Sequence, residues 1–361
     1  MVGRGRALSS TRALARYLSS VLHADRPVAL VVDGHRHHGR FAARPADVNP
    51  LDAYAGLRRG LAWLRLKQWI GWTLLHPELS SSFILQDAHY LASSEIYVRD
   101  AQGLVEHARN ARGGSLRLPR GLFPSSPRIG TPGYEIGYTW ADEPAGTHRI
   151  RAEIAATAEK PRISVDLSLD GARASAPLSV SAPLPGGALY THKAVFPAAG
   201  TVTVGERVHR FDPGRDLAIL DEHHSALPYR TRWRWGTFAT QASDAAPGGI
   251  LGANLAERPT VPGFEDESCL WLPGPDGPTV EPLGDLTFEP SADDPLAPWH
   301  VASADRRLDV TFLPEDRKSV KHQLVLAEID YWQLVGTYTG VVAGRPVAGV
   351  RGVLESMRAR L

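Results

Sequence analysis

The feature that most constrains this chain is strict two-residue alternation. In Ile163-Ser164-Val165-Asp166-Leu167-Ser168-Leu169 every second residue is apolar. Only an extended strand with one buried face uses that period. Leu308-Asp309-Val310-Thr311-Phe312 and Ile150-Arg151-Ala152-Glu153-Ile154 repeat it, and Asp170-Gly171 predicts a hairpin turn after the first run. Trp332, Leu334, Tyr338 and Val342 share one parity within Leu324 to Leu354, and Gly344-Arg345-Pro346 then turns the chain back. The 34 glycines and 28 prolines are spread along the chain, so short apolar runs are punctuated by turns throughout. This is an all-β pattern, and with no alternation of strands and helices a doubly wound fold is excluded. Helical spacing is confined to Ser10–Leu22 and a short piece within Asn49–Arg59, where Pro50 fits a helix start.

A chain of 361 residues exceeds the ~250–300 that one core usually organises. Two tandem antiparallel β-barrels or sandwiches behind a short N-terminal helix are therefore expected. Pro183-Leu184-Pro185-Gly186-Gly187 and Asp212-Pro213-Gly214 both break the chain. The second divides the strands more evenly and gives a helical segment 1–28 and domains 29–212 and 213–361. Two short runs mix tryptophan with basic residues in a strand-like way, Trp63 to Trp69 and Arg230 to Trp235, as a faint echo between the halves.

A formal net charge of +1 lacks the basic surplus that phosphate neutralisation needs, so nucleic acid is not an expected partner. One cysteine, Cys269, excludes an intramolecular disulfide and any paired-cysteine metal site, and reads as a small buried hydrophobe on a strand. No apolar run approaches the ~20 residues of a membrane helix; peripheral membrane contact stays open. Residues 1–24 hold Arg4, Arg6, Arg12 and Arg16 and no acid, as a transit peptide would. The whole chain is rich in arginine and alanine, so an amphipathic helix in a cytoplasmic protein is the preferred reading. His35, His37 and His38 lie between turn glycines with nothing to complete a metal set, and no metal is expected. The glycine-rich dinucleotide and phosphate-loop fingerprints, HExxH and GxSxG are all absent, and no cofactor is expected.

The most informative segment is Asp221-Glu222-His223-His224-Ser225-Ala226-Leu227-Pro228-Tyr229-Arg230-Thr231-Arg232-Trp233-Arg234-Trp235. On a strand, Trp233 and Trp235 share one face and the three arginines the other. The plainer reading is a tryptophan pair in a core beneath a solvated basic face. His192 stands in Tyr190-Thr191-His192-Lys193. Glu328 and Tyr331 interrupt an apolar strand, and Asn254 sits in a tight glycine-rich strand. A charge among buried neighbours is costly unless paired, so such acids mark either a bulge or a polar cavity.

Those stretches, together with Trp63 to Trp72, Asp285 to Pro290 and Gly349 to Glu355, resemble in their order a bacterial family of unknown function in the lipocalin-like group. This is the domain-of-unknown-function 2804 family, distantly similar to carotenoid 1,2-hydratases and to lipocalin-like natural-product cyclases. The resemblance implies tandem lipocalin-like domains and cofactor-free chemistry on polyene or prenyl substrates. It carries no catalytic residue across.

The residues themselves suggest general acid chemistry on a hydrophobic small molecule: hydration, isomerisation or cyclisation begun by protonating an alkene or polarising a carbonyl. A buried acid stays protonated at neutral pH because desolvation raises its pKa. Asp221 and Glu328 are the candidate acids, with His192 or His223 as relay. Trp233 and Trp235 would face a developing cation, while Tyr229, Arg230, Asn254 and Tyr331 complete the expected binding set. A non-catalytic lipid or isoprenoid carrier, or an interaction protein with filled barrels, would show the same strands. An alternative location lies in the first half, around Trp63, Trp69, His89 and Tyr90.

Overall fold

The alternating runs become strands with the expected face buried. In a computed structural model describing residues 28–242, 249–323 and 328–360, Ile163, Val165, Leu167 and Leu169 all point inward from the strand Ile163–Asp170. Ile150, Ala152 and Ile154 do the same from Thr147–Ile154. Leu334, Tyr338 and Val342 enter the core from Glu328–Val342, and Trp332 packs against it. The turn at Ala343-Gly344 returns the chain into Arg345–Arg360. Cys269 is fully buried, and burial pushes its thiol up to about 12.

Two curled antiparallel sheets result. The first has thirteen strands and runs in order through Gly103–Arg112, Leu91–Asp100, Leu79–Asp87, Leu66–His76, Leu217–Ala226, Gly187–Val204, Ile163–Asp170, Thr147–Ile154, Tyr134–Thr139 and Arg128–Thr131. Leu178–Leu184 and Arg207–Phe211 pair beside this path, and Gly39–Arg40 pairs with the former. The eighteen-residue strand Gly187–Val204 joins the two arms of the curl. Within it Gly200 has φ +132° and a Cβ would lie 2.2 Å from the Asp166 carbonyl oxygen; only glycine fits there. The second sheet has nine strands, with Arg230–Gln241, Arg345–Arg360 and Glu328–Val342 side by side at its centre.

Several sequence expectations shift. Asp170-Gly171 does not make a hairpin. Asp170 caps a 3-10 turn over Gly171–Arg173 by accepting from the Ala172 and Arg173 amides, and the strand that follows pairs elsewhere. Asp212-Pro213-Gly214 joins two strands of the same sheet. The sheets change over at residues 227–229, so the boundary expected after residue 212 falls inside the first sheet. Trp63 belongs to a helix, Gly56–Arg65, which runs directly into the strand Leu66–His76. Its leucines at positions 57, 61 and 64 carry the helical spacing that the neighbouring tryptophan–arginine pattern obscured. A 3-10 turn, Pro50–Ala53, begins at the expected proline. The expected helix at Ser10–Leu22 lies outside the described residues.

The sheets share an apolar interface. Leu75, Leu178, Val180 and Ile219 of the first pack with Ala239, Ile250 and Trp271 of the second. Tyr97 packs with Trp235, Val335 and Val353.

Candidate functional site

Between the two sheets lies a cavity of about 340 Å³. Strand register decides which side chains reach it. In the first sheet Lys193 stands opposite Asp221, and His223 stands opposite both Thr191 and Trp69. Being of one parity, these side chains face the second sheet together. In the second sheet Trp235, Glu355 and Gln333 lie in one row across three strands, and Trp233, Met357 and Tyr331 in the next.

The first wall is ionic. The Lys193 ammonium donates to Asp221 Oδ1, lies 3.1 Å from Glu267 Oε2, and sits over the Trp235 ring at 4.7 Å from its centroid. His223 Nε2 is 3.2 Å from Asp221 Oδ1 and 3.1 Å from Thr191 Oγ1, and its ring stacks on Trp69 at 4.3 Å. Trp69 Nε1 donates to Asp221 Oδ2 at 3.0 Å. Arg258 donates to Glu267 Oε1 and to both Asp266 oxygens. Burial alone would raise the Asp221 carboxyl, but Lys193 and His223 outweigh it and hold Asp221 well below the carboxylate range. Glu267 is held down in the same way by Arg258, Lys193 and His223. Burial would lower the Lys193 ammonium; Asp221 and Glu267 raise it instead. Buried Lys193 and Glu267 and half-buried Asp221 and Arg258 thus stabilise one another's charged forms.

The second wall holds a carboxyl shifted the other way. Glu355 accepts from Trp233 Nε1 at 2.8 Å, from the Tyr331 hydroxyl at 2.9 Å and from Gln333 Nε2 at 2.8 Å. Tyr97, from the first sheet, donates to Gln333 Oε1 at 2.5 Å, so the Gln333 amide is oriented with its NH2 group toward Glu355. Protein packed around Glu355 desolvates it, and the Asp221 charge adds to the effect. Together these raise its pKa against the three donors. Two carboxyls on opposite walls of one cavity therefore have pKa values pushed in opposite directions, the kind of separation that distinguishes an acid from a base.

Of the residues expected from sequence, the structure brings Asp221, His223, Trp233, Trp235 and Tyr331 to the cavity. Their roles differ from expectation. Asp221 is held as an anion by Lys193 rather than kept protonated. One face of Trp235 is already covered by the Lys193 ammonium. The others lie elsewhere. Glu328 pairs with Arg360 at 3.0 Å and does not line the cavity. His192 points from the opposite face of its strand, in register with Glu222, which forms a buried pair with Arg44 at 2.7 Å. Asn254 accepts from Trp235 Nε1 and donates to the Glu267 carbonyl, so it fixes the indole rather than a ligand. Tyr229 and Arg230 are exposed and outside the lining. From the alternative location in the first half, Trp69 and Tyr90 line the cavity.

Sequence reasoning missed Lys193, Glu267, Arg258, Gln333 and Glu355. Lys193 and Glu355 do fall in the stretches that carry the family resemblance, and Glu355 interrupts Val353-Leu354 just before Met357, which was a usable signal. Of the three histidines expected on a loop, His35 is exposed but lies on the two-residue strand His35–Arg36, His37 is exposed between strands, and His38 is half-buried against Phe264. A different set was not foreseen: ligand atoms of His76, Glu78 and His209 lie within 4.8 Å of one another. There His76 Nδ1 accepts from the Glu78 amide at 3.1 Å, and its Nε2 is 3.2 Å from the Arg215 guanidinium. With Nδ1 accepting, the ring proton sits on Nε2, so neither nitrogen offers a free lone pair, and the adjacent Arg215 cation further disfavours a metal ion.

Residues 35–361 match the family described as Domain of unknown function (DUF2804). The chain belongs to this family. Comparison with curated proteins gives no match. Among solved structures the chain is similar to "Crystal structure of CghA with Sch210972", with 12% identity, a TM-score of 0.47, and coverage of 82% of this chain and 88% of that one. It is more weakly similar to the parainfluenza virus 5 hemagglutinin-neuraminidase ectodomain, with 6% identity, a TM-score of 0.18, and coverage of 98% and 93%. At these scores neither likeness carries a fold or an activity to this DUF2804 chain.

Proposed function

We propose that this DUF2804 protein binds a hydrophobic, unsaturated small molecule between its two sheets and transforms it by general acid catalysis. The observation that carries the reading is the pair of opposed carboxyls: Glu355 biased toward the neutral acid, Asp221 held as the anion with His223 against it. Glu355 gives its proton to an alkene carbon or a carbonyl oxygen, leaving electron deficiency on the neighbouring carbon. Trp69 and Trp233 border that space, and the ring faces not already covered by neighbours stabilise the developing charge. The cation is discharged in one of three ways: water adds to it, an adjacent C–H loses its proton, or a second double bond closes a ring before proton loss. In each case the released proton goes to the His223–Asp221 pair, and solvent exchange returns one to Glu355. Every proton and charge in this scheme is carried by side chains, in line with the resemblance to hydratases and cyclases. The runner-up is a carrier that uses the same cavity without turnover.

The test begins with mass spectrometry of an organic extract of the purified protein to identify the bound compound, followed by turnover of that compound. Glu355→Gln keeps the size and removes the acid, while turning one of the two accepting oxygens into a donor NH2. It is expected to cut turnover by roughly 10²–10⁴-fold while tryptophan quenching by the compound is retained. Full turnover in Glu355→Gln refutes the role of Glu355. No turnover in the wild type, with binding intact, leaves the carrier.

A further inference from the structure

The helix Gly56–Arg65 has only one buried residue, Ala62. Leu57, Leu61 and Leu64 recur at helical spacing and fall within one narrow stripe. That stripe points away from Ala62 into solvent, with exposures of 91%, 64% and 50%. A helix is usually held by burying such a stripe; here the apolar face is outermost. Arg58 and Arg65 flank it, Lys67 follows, and the helix contains no acid. Trp63 stacks on His89 at 5.0 Å, and Lys67 lies over the Tyr90 ring, which fastens the helix to the neighbouring turn. Tyr90 and Leu91 extend the exposed apolar surface. Lys67, Tyr90 and Leu91 also line the inter-sheet cavity, so the patch and the cavity mouth are continuous.

We infer that this face is a membrane-docking surface. The leucine stripe inserts at the level of the lipid headgroups of an anionic bilayer, Arg58 pairs with a phosphate while Arg65, held by the Leu227 and Gly186 carbonyls, adds positive potential, and the cavity mouth then opens onto the lipid. Charge selects this occupant. Residues 1–27 hold Arg4, Arg6, Arg12, Arg16 and Arg26 against one acid, Asp25, and would bring like charge to the helix. A second copy would oppose its own arginines. A basic amphipathic helix with leucines outermost matches an anionic lipid surface. The inference rests on the reading of the cavity as an apolar ligand site, since docking would deliver that ligand from the bilayer.

The test uses the full chain. Cys269 is buried, so Leu64→Cys can be labelled selectively with a polarity-sensitive fluorophore. Mixed with phosphatidylcholine vesicles containing roughly one-third phosphatidylglycerol, its emission is expected to shift to the blue, and salt should reverse the shift. Vesicles of phosphatidylcholine alone should give a much weaker response. Leu61→Asp is expected to lower vesicle partition ~10-fold or more, and Arg58→Glu to lower it too. Should Leu61→Asp fail to fold, Leu57→Ser, at the most exposed position of the stripe, serves in its place. Glu355→Gln is expected to bind vesicles as the wild type does, so a failure of docking and a failure of the proposed chemistry are separable. The inference is overturned by no binding to anionic vesicles, or by binding that Leu61→Asp leaves intact. It is also overturned if light scattering shows a dimer that Leu61→Asp splits.

Discussion

Replacing Lys193 with methionine tests the ionic wall most directly. The two side chains are similar in size, so the change removes a charge and little packing. In the wild type the ammonium touches two carboxylates, one at 3.1 Å and one closer, and is itself almost fully buried. At an effective dielectric constant near 20, a pair at 3.1 Å is worth about 5 kcal/mol of Coulomb attraction. The substitution also relieves the burial of the ammonium, which offsets part of that. Leaving a buried carboxylate with no partner typically costs ~3–5 kcal/mol; here Glu267 keeps Arg258 and Asp221 keeps His223 and Trp69, so a smaller loss of ~2–3 kcal/mol is expected. At roughly 2 °C per kcal/mol for a chain of this size, the expected drop in melting temperature is ~4–6 °C near neutral pH. The deficit must depend on pH. Asp221 and Glu267 are depressed in the folded wild type, so their contribution to stability is present above their unfolded pKa of ~4 and is lost as pH falls through the folded values. In Lys193→Met both carboxyls take up protons more readily. The gap between the two proteins should therefore be widest above pH ~5 and narrow below ~4. Thermal unfolding followed by tryptophan fluorescence from about pH 2 to 8 measures it. Equal melting temperatures at neutral pH, or a deficit that does not change with pH, would refute the argument.

Two further outcomes follow from the same reasoning. Arg44→Ala leaves Glu222 on the far face of the first sheet with only the His224 imidazole beside it, at 2.8 Å, and no guanidinium; a loss of ~3 kcal/mol in urea unfolding is expected at neutral pH. Because Arg44 holds Glu222 low in the folded state, that loss should shrink as pH falls below ~4; a full-sized loss at low pH would contradict it. Treatment with a chelator is expected to leave the melting temperature unchanged, since His76 Nδ1 already accepts from the Glu78 amide and Arg215 lies beside Nε2; a fall that one divalent metal restores would establish a metal site at His76, Glu78 and His209.

The sequence by itself determined the strands and their faces. Period-two alternation in Ile163–Leu169 needs no tertiary information, because successive side chains of an extended chain point to opposite sides. The same rule placed Trp233 and Trp235 together, and both do line the cavity. The turn at Gly344 was legible for a local reason: the chain reverses there with positive φ at Ala343 and Gly344. What lies across from a strand is not local. Lys193 meets Asp221 through the pairing of two strands, and meets Glu267 only because the second sheet packs against the first. Nothing near Asp221 in sequence announces Lys193 as the partner that keeps it ionised. The acid was misassigned for that reason: a carboxyl's protonation state follows from its burial and its charged neighbours, and both are set by tertiary packing. Glu355 and Asp221 are chemically alike in the sequence. The fold places one beside a lysine and the other among an indole, a phenol and an amide, and thereby makes them different.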